Sequence, residues 1–556
     1  MKPYALAALS VTILSSSHAL AQCELQRLAL ANPTQASVLG WSVAIEGDLA
    51  AVGSIGTDEA CPLDPNCNSG SVQVYRRTAG VWAYEATLTA SDGSAAAQFG
   101  QNCSISGNRI LVGAHFDGPG SAYVFSNSGA GWVEEQKLTG SDSQNLFHFG
   151  HCVSLDGDTA LIGVMRDNFA GPETGAAFLF ERVGGVWTET VKLTASDAAA
   201  QDRFGRSCDL KNGIAILGAH LHDGVSPDEG AAYIFERDDA GTPGDPLDDS
   251  WPEVAKLVAS QPMANELFAR AVGLEGDLAV IGASKATGMA PDSGAIYLFQ
   301  RDANGAWTES QKIVADDGEA ADRFGESVAI DGDRIVVGAP GDDDNSAQAG
   351  AAYLIERTPL GWVPTLKYTA AGVDASASLG TEMTVDVSGG TALFGAPFSS
   401  LDVSIGGGAY LVDLTDCLGE LYCAVTANST GSPGLASAAG STLATANDLI
   451  FGVSSLPTNA FGYVLVSTTE GFVTTPGGSQ GNLCLSGQIG RFVNALFNTG
   501  ATGTGSTSID LSAVPSPTGP FAAAPGDTLY FQAWHRDAAG GQATSNFTQA
   551  RRIRLR

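Results

Sequence analysis

The feature that most constrains the fold of this chain is a sequence unit that recurs along it seven times. The clearest copy spans Phe324–Pro340, FGESVAIDGDRIVVGAP, which begins with Phe-Gly and ends with Gly-Ala-Pro. Within it, two runs of alternating apolar and polar residues flank Asp331-Gly332-Asp333, which predicts two short strands joined by a tight turn. Two further strand patterns follow, in Gly350–Arg357 and Trp362–Ala370. One copy of the unit therefore predicts four short strands.

The copies repeat in phase, and their spacing varies between 50 residues (Phe99 to Phe149) and 64 residues (Phe204 to Phe268). They begin at Leu39-Gly40, Phe99-Gly100, Phe149-Gly150, Phe204-Gly205, Phe268-Ala269, Phe324-Gly325 and Leu379-Gly380. The variation in spacing falls in the loops. A four-stranded unit repeated seven times predicts an all-β, seven-bladed β-propeller, because a single blade cannot bury both of its faces.

The two ends of the repeat array predict how the ring closes. The seventh copy ends at Leu414 without a fourth strand of its own, and residues 23–32, CELQRLALAN, precede the first copy as an unmatched strand. An open edge strand invites aggregation, so we expect the N-terminal strand to complete the last blade. The predicted propeller therefore spans residues 22–417.

Phe-Gly starts and Gly-Ala-Pro ends resemble the FG-GAP repeats of the integrin alpha-subunit propeller and its bacterial relatives, over about residues 22–415. The resemblance implies a ligand-binding or adhesive module, and many such propellers bind calcium. Their calcium loop, of the type Asp-x-Asp-x-Asp-Gly-x-x-Asp, joins the first and second strands. Here turns such as Asp331-Gly332-Asp333 replace that loop, and they offer too few oxygens for the roughly six to eight ligands of calcium. Calcium is therefore not expected at the family position.

The chain is strongly acidic, with 28 Lys and Arg against 60 Asp and Glu and a formal charge of −32. This charge repels nucleic acids and anionic membranes, so neither is expected as a partner. Residues 1–21 predict a secretory signal, with Lys2, an apolar run over Ala5–Leu14 and the cleavage site Ala19-Leu20-Ala21. No later stretch approaches the about 18 apolar residues of a membrane span. We therefore expect a secreted or cell-surface protein, in which disulfides are able to form.

The composition changes at about residue 418. From there Gly, Ser, Thr and Ala dominate, and Lys and Arg are absent until Arg491. Strand patterns nevertheless persist in Leu449–Val453, Gly462–Ser467, Arg491–Phe497, Leu529–Trp534 and Ile553–Arg556. These observations predict a separate C-terminal β-sandwich domain over residues 418–556.

The long and variable loops of the repeats mostly join second strands to third strands. They lie in Ser54–Ser69, Met165–Glu173, His220–Glu229, Ser284–Ser293, Gly341–Ala349 and Phe398–Gly406. Together with the blade-to-blade connections, they are expected at one end of the ring, which we call the loop face. Loops on a rigid scaffold are where binding residues concentrate, so we expect the ligand there.

Clustered carboxylates in two loops are candidates for cation binding. Asp342, Asp343, Asp344 and Asn345 directly follow a Gly-Ala-Pro, and their oxygens suit calcium. A second cluster lies in the long insertion of the fourth repeat, on the opposite face, and comprises Asp238, Asp239, Asp245, Asp248 and Asp249. The alternative for both clusters is a solvated acidic loop.

Histidines concentrate in the second, third and fourth repeats, near Phe-Gly starts and Gly-Ala ends. They are His115, His148, His151, His220 and His222. Imidazoles that converge on the loop face are suitable ligands for zinc or copper. One ion shared by all of them is not expected, because His115 and His220 belong to blades that are not adjacent.

Nine cysteines, an odd number, leave at least one without a partner in the chain. The disulfide candidates are Cys23, Cys61, Cys67, Cys417, Cys423 and Cys484. We expect one bridge to staple the loop that holds Cys61 and Cys67. A second bridge, between Cys23 and Cys417, would lock the ring at its seam, and the last two candidates belong to the C-terminal domain.

The three remaining cysteines, Cys103, Cys152 and Cys208, are expected to be free. Cys103 and Cys208 occupy a position at which other copies carry residues such as Val153 and Val328, which predicts a buried apolar slot. Cys152 replaces a residue that is usually small. None of the three is expected to be catalytic.

No nucleophile elbow, H-E-x-x-H zinc motif, phosphate loop or dinucleotide fingerprint is recognised. We therefore expect a non-enzymatic, exported interaction or adhesion protein that binds a protein or glycan ligand through the loop face. The alternative is a secreted glycan-active hydrolase or lyase that uses carboxylates of the propeller face. A third hypothesis is a structural component of the cell envelope.

Overall fold

The structure is a computed structural model that describes residues 24–30, 37–59, 67–78, 80–144, 147–239, 241, 245–315, 317–344, 346–358, 361–370, 375–401, 404–414, 420–421, 428–430, 434–439, 447, 449–524, 526–539 and 542–555. The expected signal segment, residues 1–21, lies outside them. In these residues the regular structure is β-strand, apart from two short 3-10 helices. The described residues form no helix that is long and apolar enough to cross a membrane.

Seven four-stranded antiparallel sheets form the blades of a propeller, and we number the blades from the sheet that begins at Leu39. The first strands, which line a central channel, are Leu39–Glu46, Cys103–Ser106, Phe149–Asp156, Ser207–Lys211, Phe268–Glu275, Ser327–Asp331 and Val385–Ser388. The second strands are Leu49–Ser54, Arg109–Ala114, Thr159–Val164, Ile214–Ala219, Leu278–Ala283, Arg334–Ala339 and Thr391–Gly395. The all-β propeller predicted from the repeats is confirmed.

Two more strands complete each blade toward the rim. The third strands are Ser71–Thr78, Ser121–Asn127, Ala176–Val183, Ala231–Glu236, Ala295–Arg301, Ala351–Thr358 and Ala409–Asp413. The fourth strands of blades 1 to 6 are Val81–Leu88, Trp132–Leu138, Val186–Leu193, Glu253–Leu257, Trp307–Ile313 and Gly361–Tyr368. In blade 7 the fourth place is taken by Glu24–Leu28.

The strand Glu24–Leu28 closes the ring. It pairs antiparallel with the third strand of blade 7, and Leu28 stands opposite Ala409. The Leu28 side chain is only 1% exposed, and it packs with Leu39 of blade 1 and Leu393 of blade 7. One strand from the start of the described chain therefore covers the edge of the last blade and holds both ends of the repeat array together.

The glycines of the repeat allow adjacent blades to approach each other closely. Gly120, at the start of the third strand of blade 2, forms a parallel bridge with Phe149 of blade 3. Its φ is +99°, and a Cβ atom there would overlap the carbonyl oxygen of Phe149. A Cβ on Gly113 would likewise overlap the carbonyl oxygen of Gly150. Only glycine fits at such contacts between two backbones.

The Phe side chains of the Phe-Gly pairs form cores between neighbouring blades. Phe149 is 0% exposed and packs with Leu111 and Val124 of blade 2 and with Phe178 of its own blade. Its ring centroid lies 5.7 Å from that of Phe178. Because each core is shared by two blades, a blade cannot move without exposing apolar surface of its neighbour.

Residues beyond the propeller form three further sheets. Their strands are Glu420–Leu421, Leu435–Ala439, Ile450–Ser454, Phe461–Ser467, Glu470–Val473, Leu483–Leu485, Gly490–Asn498, Gly505–Ser508, Thr528–Ala539 and Gln542–Arg554, and the 3-10 helices are Pro476–Gly478 and Leu511–Ala513. A five-stranded and a three-stranded sheet share one core, which includes Phe451, Val464 and Phe531. The β-sandwich expected for residues 418–556 stays a prediction.

One disulfide differs from the prediction. Cys152 and Cys208 are bonded, with their Cα atoms 6.0 Å apart, so the prediction that both are free thiols is wrong. They lie on the first strands of blades 3 and 4, which converge toward the ring axis, and this brings the two thiols together. Cys103 is free and buried, as predicted.

The disulfide candidates fall mostly outside the described residues. Cys67 and Cys484 each take part in a disulfide. The remaining candidates outside the described residues are Cys23, Cys61, Cys417 and Cys423. The pairings proposed for them stay predictions.

Candidate functional site

Large apolar side chains are exposed on the loop face of five blades. They belong to connections between second and third strands and are Phe116, Phe169, Val225, Met289, Phe398 and Ile405. Phe169 is 67% exposed and Val225 is 89% exposed. Burial of apolar surface drives association, and loops on a rigid scaffold are where binding residues concentrate. This end of the ring is therefore the candidate functional site.

A chain of four charged side chains and one histidine, from five blades in all, spans the mouth of the channel at this end. His151 of blade 3 accepts a hydrogen bond at Nε2 from Arg206 Nη1, at 2.8 Å. Arg206 also donates from Nη2 to Glu382 Oε2 of blade 7, at 2.5 Å. Arg270 Nη2 donates to the same oxygen at 3.3 Å and to Glu326 Oε1 at 2.7 Å. Five side chains thereby join blades 3 to 7 across the ring axis.

The charges of this network balance, with two arginines against two glutamates. Burial alone would raise the pKa of Glu382, but the guanidinium groups of Arg206 and Arg270 hold it well below its ordinary value. Burial lowers the pKa of His151, and the neighbouring Arg206 lowers it further, so the imidazole stays neutral. The network thus links five blades by hydrogen bonds and ion pairs across the channel mouth, and we call it the mouth clamp.

Three histidines converge beside this clamp. The ring centroid of His115 lies 5.0 Å from that of His148 and 5.5 Å from that of His151. Burial lowers the pKa of His148 to about 4 and that of His115 to about 3, and nearby arginines contribute to both shifts. The three imidazoles are therefore neutral at physiological pH.

The other two predicted histidines lie on blade 4. His222 Nδ1 lies 3.1 Å from Asp202 Oδ2, and its Nε2 lies 2.8 Å from Lys256 Nζ. His220 is buried, and burial holds its pKa well below the ordinary value. Across the described ranges, no group of three or more His, Cys, Asp or Glu side chains is arranged to hold a metal ion. The zinc or copper hypothesis stays a prediction without a preformed site.

The acidic loop of blade 6 surrounds a lysine. Lys367 Nζ lies 2.5 Å from Asp342 Oδ2, 2.6 Å from Asp344 Oδ2 and 3.0 Å from Asp317 Oδ2. Burial lowers the pKa of Lys367, but hydrogen bonds to Asp342 and Asp344 outweigh this effect and raise it. The ammonium group thus supplies the positive charge that these carboxylates need. Asn345 lies outside the described residues, and the proposed calcium site at Asp342–Asn345 stays a prediction.

The same arrangement recurs in other blades. Lys137 Nζ lies 2.7 Å from both Asp92 and Asp117, and Lys192 Nζ lies 2.7 Å from Asp142 and 2.9 Å from Asp167. In each case one carboxylate comes from the connection that precedes the blade and the other from the loop between its second and third strands. These lysines therefore fasten loop-face connections to the fourth strands.

The acidic insertion of blade 4 is folded around backbone and arginine contacts. Asp249 is 8% exposed and accepts a hydrogen bond from Arg237 Nε. Asp238 forms an isolated antiparallel bridge with Ser250. Asp239 Oδ1 accepts the backbone N–H of Gly241 at 3.0 Å. The cation proposed for this cluster stays a prediction.

A family model described as FG-GAP repeat matches six stretches, residues 25–75, 82–125, 132–180, 187–235, 251–299 and 307–355. These stretches cover more than half of the 556 residues. The chain belongs to the FG-GAP repeat family. The first match begins within the closing strand Glu24–Leu28, and each later match begins at or near a fourth strand and ends in the third strand of the next blade. Each FG-GAP unit therefore includes strands of two adjacent blades. The close glycine contacts likewise join adjacent blades.

Solved structures resemble this FG-GAP protein at low sequence identity. Sqt1 of Saccharomyces cerevisiae is 10% identical with a TM-score of 0.38, and the match covers 71% of this chain and 99% of that chain. A protein from Lactobacillus plantarum is 14% identical with a TM-score of 0.41, and the match covers 62% of this chain and 87% of that chain. The comparison with curated proteins gave no match. The family assignment therefore rests on the repeats themselves.

The central channel of the FG-GAP propeller has a volume of about 270 Å³. Side chains that line it form hydrogen bonds between neighbouring blades. Asp386 Oδ2 of blade 7 accepts the backbone N–H of Ile45 in blade 1 at 2.7 Å. Asp209 Oδ2 of blade 4 accepts that of Leu274 in blade 5 at 2.8 Å. These bonds satisfy N–H groups of first strands, which have no further strand beside them. Burial raises the pKa of Asp386 to about 7.

The mouth clamp was not predicted from the sequence, although part of its signal is visible there. Arg206, Arg270 and Glu326 each directly follow a Phe-Gly or Phe-Ala pair, so their repeat position places them around one ring. Glu382 is displaced by one residue from that position. In the folded ring Glu382 nevertheless lies between the two arginines and accepts hydrogen bonds from both.

Proposed function

We propose that this FG-GAP protein is an exported, non-enzymatic interaction or adhesion protein whose loop face binds a protein ligand. The FG-GAP propeller is a scaffold suited to protein interaction, and the proposal adds the surface and the mechanism. The ligand buries the exposed side chains between second and third strands, and no covalent chemistry takes place. A glycan in place of a protein is a separate outcome of the experiment below.

The exposure of large apolar side chains in the loop-face connections carries this proposal. Phe169, Val225 and Met289 belong to three consecutive blades and are 67%, 89% and 64% exposed. Full burial of one such side chain contributes about 1.5–3 kcal/mol. Three of them therefore contribute a substantial part of the free energy of association, and further contacts of the interface must offset the rest of the entropic cost of binding.

The loops are held in place before any ligand arrives, which supports their role in binding. The Lys192 ammonium fixes Asp167 in the loop that carries Phe169. The mouth clamp and the cores between blades hold the strands on either side. A preorganised surface loses little conformational entropy when it binds, so more of the burial free energy appears as affinity.

A non-catalytic role is supported by the state of the acidic groups on this face. Glu326 and Glu382 are each paired with arginine, and the pKa of Glu382 is held low, so it is unsuited to donate a proton. One further stretch, Gly477–Gly481, has the spacing G-x-S-x-G, contrary to the expectation that no such motif is present. Its Ser479 is buried and donates a hydrogen bond from Oγ to the carbonyl of Ser545 at 2.9 Å, which does not suit a nucleophile.

Export is supported by the disulfide chemistry. Cys152 and Cys208 are bonded, and Cys67 and Cys484 also take part in disulfides. Disulfides persist in oxidising compartments and are rare in the cytosol. The formal charge of −32 further suits a protein that must stay soluble outside the cell.

The test uses the full-length protein on arrays of purified cell-surface proteins and of polysaccharides. Wild type is compared with a triple variant, Phe169→Ser, Val225→Ser and Met289→Ser. We expect wild type to bind a protein probe and the triple variant to bind it at least about tenfold more weakly, since a loss of about 1.4 kcal/mol corresponds to that factor.

A matched control variant carries Val81→Ser, Val133→Ser and Val186→Ser, which replace exposed apolar residues of fourth strands. It should bind as wild type does. Equal weakening in both variants would contradict the assignment to the loop face. Retention on a polysaccharide alone would assign a glycan ligand, and release of sugar products would overturn the non-enzymatic proposal.

A further inference from the structure

We propose that Arg166, His148 and His115 form a binding site for one carboxylate group, which the partner presents beside an apolar side chain. The site lies on the loop face, between blades 2 and 3. The inference rests on the proposed function and deepens it, because it names the chemistry that the partner brings to this part of the face.

Three polar atoms at this place have no hydrogen-bond partner among the described residues. They are Nδ1 of His115, Nδ1 of His148 and Nε of Arg166, and all three are buried. His115 is 5% exposed and His148 is 4% exposed. Buried polar atoms in folded proteins nearly always have a hydrogen-bond partner. Three exceptions in one place indicate a surface that is completed by a polar ligand.

The three side chains are brought together by adjacent elements. The ring centroids of His115 and His148 lie 5.0 Å apart. The backbone N–H of Arg166 donates to the carbonyl of Phe147, the residue before His148, at 3.2 Å. Arg166 lies two residues after the end of the second strand of blade 3, and His148 immediately precedes the first strand of the same blade. The positive charge of Arg166 contributes to the lowered pKa of both His115 and His148, so the guanidinium group lies near both imidazoles.

An apolar wall adjoins these polar groups. The Phe116 ring centroid lies 3.9 Å from that of His115 and 4.9 Å from that of His148, and Phe116 is 42% exposed. Phe169, in the loop that follows Arg166, is 67% exposed. A ligand that combines a carboxylate with a neighbouring apolar side chain therefore matches this surface. Both phenylalanines belong to the apolar set of the proposed binding face.

The local charge favours an anion. Arg203 Nη2 lies 2.8 Å from Glu173 Oε2, whereas Arg166 Nε lies 3.6 Å from Glu173 Oε1. Two guanidinium groups thus share one carboxylate, which leaves one positive charge in a chain whose formal charge is −32. A single added carboxylate restores the balance, because a guanidinium fork accommodates two carboxylate oxygens side by side.

The same charges argue against the metal ion that histidines alone would suggest. Arg206 donates to His151 Nε2 at 2.8 Å, so the third imidazole is already engaged. A divalent cation at His115 and His148 would also face the positive charges of Arg166 and Arg203. A doubly charged phosphate would overcompensate the single positive charge beside Glu173. A monovalent carboxylate is therefore the ligand class that fits.

The test uses the full-length protein with ¹³C at the Cε1 atoms of histidine and two capped dipeptides, acetyl-Phe-Glu-amide and acetyl-Phe-Gln-amide. His115→Gln and His148→Gln variants assign the ring signals. We expect the Glu dipeptide to shift the signals of His115 and His148 in a saturable manner, and the Gln dipeptide to bind at least tenfold more weakly.

Arg166→Gln should weaken binding of the Glu dipeptide at least tenfold, and thermal unfolding shows whether this variant is folded. Arg357→Gln is the matched control, because Arg357 is an exposed arginine whose partner is Asp333, in a turn of the opposite face. It should bind the Glu dipeptide as wild type does. The readout needs no partner protein, so its failure is distinct from a failure of the array experiment. Equal binding of both dipeptides, an unchanged affinity in a folded Arg166→Gln variant, or tighter binding of inorganic phosphate would overturn the proposal.

Discussion

At the residue scale, the half-buried carboxylates of the channel show how single side chains replace missing strand partners. Asp386 accepts the backbone N–H groups of Ile45 and Val387, at 2.7 and 2.8 Å. The bond to Ile45 reaches the next blade across the seam of the ring. The carboxyl group accepts both hydrogen bonds at this position, although burial disfavours its charged form.

The Asp386→Asn variant tests how much the charged form of Asp386 lowers the free energy of unfolding. The pKa of Asp386 is raised from its ordinary 3.8 to about 7 in the folded state. The stability that this group contributes is therefore fully present below about pH 4 and is lost as the pH rises through about 7. Because the channel admits water, we expect a loss of about 1–2 kcal/mol, less than the roughly 4 kcal/mol that a three-unit shift would imply.

Denaturant unfolding at a series of pH values measures this effect. Wild type should lose unfolding free energy between about pH 4 and pH 7, and Asp386→Asn should lose less over the same range. The asparagine retains an oxygen for the Ile45 N–H. Two parallel stability profiles would show that Asp386 does not titrate in this range.

Lys367 is the residue at which the calcium prediction can be decided. Its ammonium group lies among Asp317, Asp342 and Asp344, and its side chain is 19% exposed. Lys367→Met would leave the buried Asp342 without its cation, which should cost about 3 kcal/mol of unfolding free energy. Calcium should restore much of this loss in the variant, because the freed carboxylates gain a cation that they otherwise lack.

Thermal unfolding of both proteins with calcium and with a chelator provides the measurement. We expect wild type to respond little to calcium and Lys367→Met to be stabilised by it. A large and equal stabilisation of the two proteins would place the calcium at a site independent of Lys367.

At the element scale, the repeated glycines explain why the Phe-Gly and Gly-Ala patterns mark blade boundaries. Gly120 has a φ of +99° and lies against the carbonyl group of Phe149 in the next blade. Gly129 has a nearly equal φ of +97°, but no atom lies within 4 Å of the position of a Cβ there. A comparison of the two glycines therefore distinguishes the effect of the backbone conformation on stability from the effect of the contact between blades.

Gly120→Ala and Gly129→Ala form a matched pair. The exposed Gly129 position should lose about 1 kcal/mol, because alanine is strained at positive φ. The Gly120 position should lose at least about 3 kcal/mol, because the added methyl group also forces two blades apart. Denaturant unfolding measures both values, and equal losses would show that the close approach of blades 2 and 3 is unimportant for stability.

The strands of the propeller were predictable because each carries the same short pattern and errors average out over seven copies. The contacts between blades were harder to predict. Cys152 and Cys208 occupy neighbouring repeat positions that differ by one residue, so alignment of the copies separates residues that the converging first strands bring together. Lys367 stands in a fourth strand about 25 residues after Asp342, and only the folded blade shows that they meet.

At the scale of the whole molecule, closure of the ring followed from counting strands, whereas the binding face did not follow from any motif. One strand before the first repeat belongs to no repeat, and the seventh repeat lacks a fourth strand after Leu414. The extra strand therefore fills the missing place. In contrast, Phe116, Phe169 and Met289 lie in loops of different length and sequence. Their shared exposure becomes visible only when the blades are placed around one axis.

The central claim is that this loop face, and not the opposite face or the rim, binds the partner. Hydrogen–deuterium exchange of the full-length protein, alone and saturated with the protein probe found on the array, tests it most directly. We predict slower exchange in the loops that contain Phe116, Phe169, Val225 and Met289, and unchanged exchange in the turns between first and second strands. Protection confined to those turns, such as Asp331-Gly332-Asp333, would contradict the account.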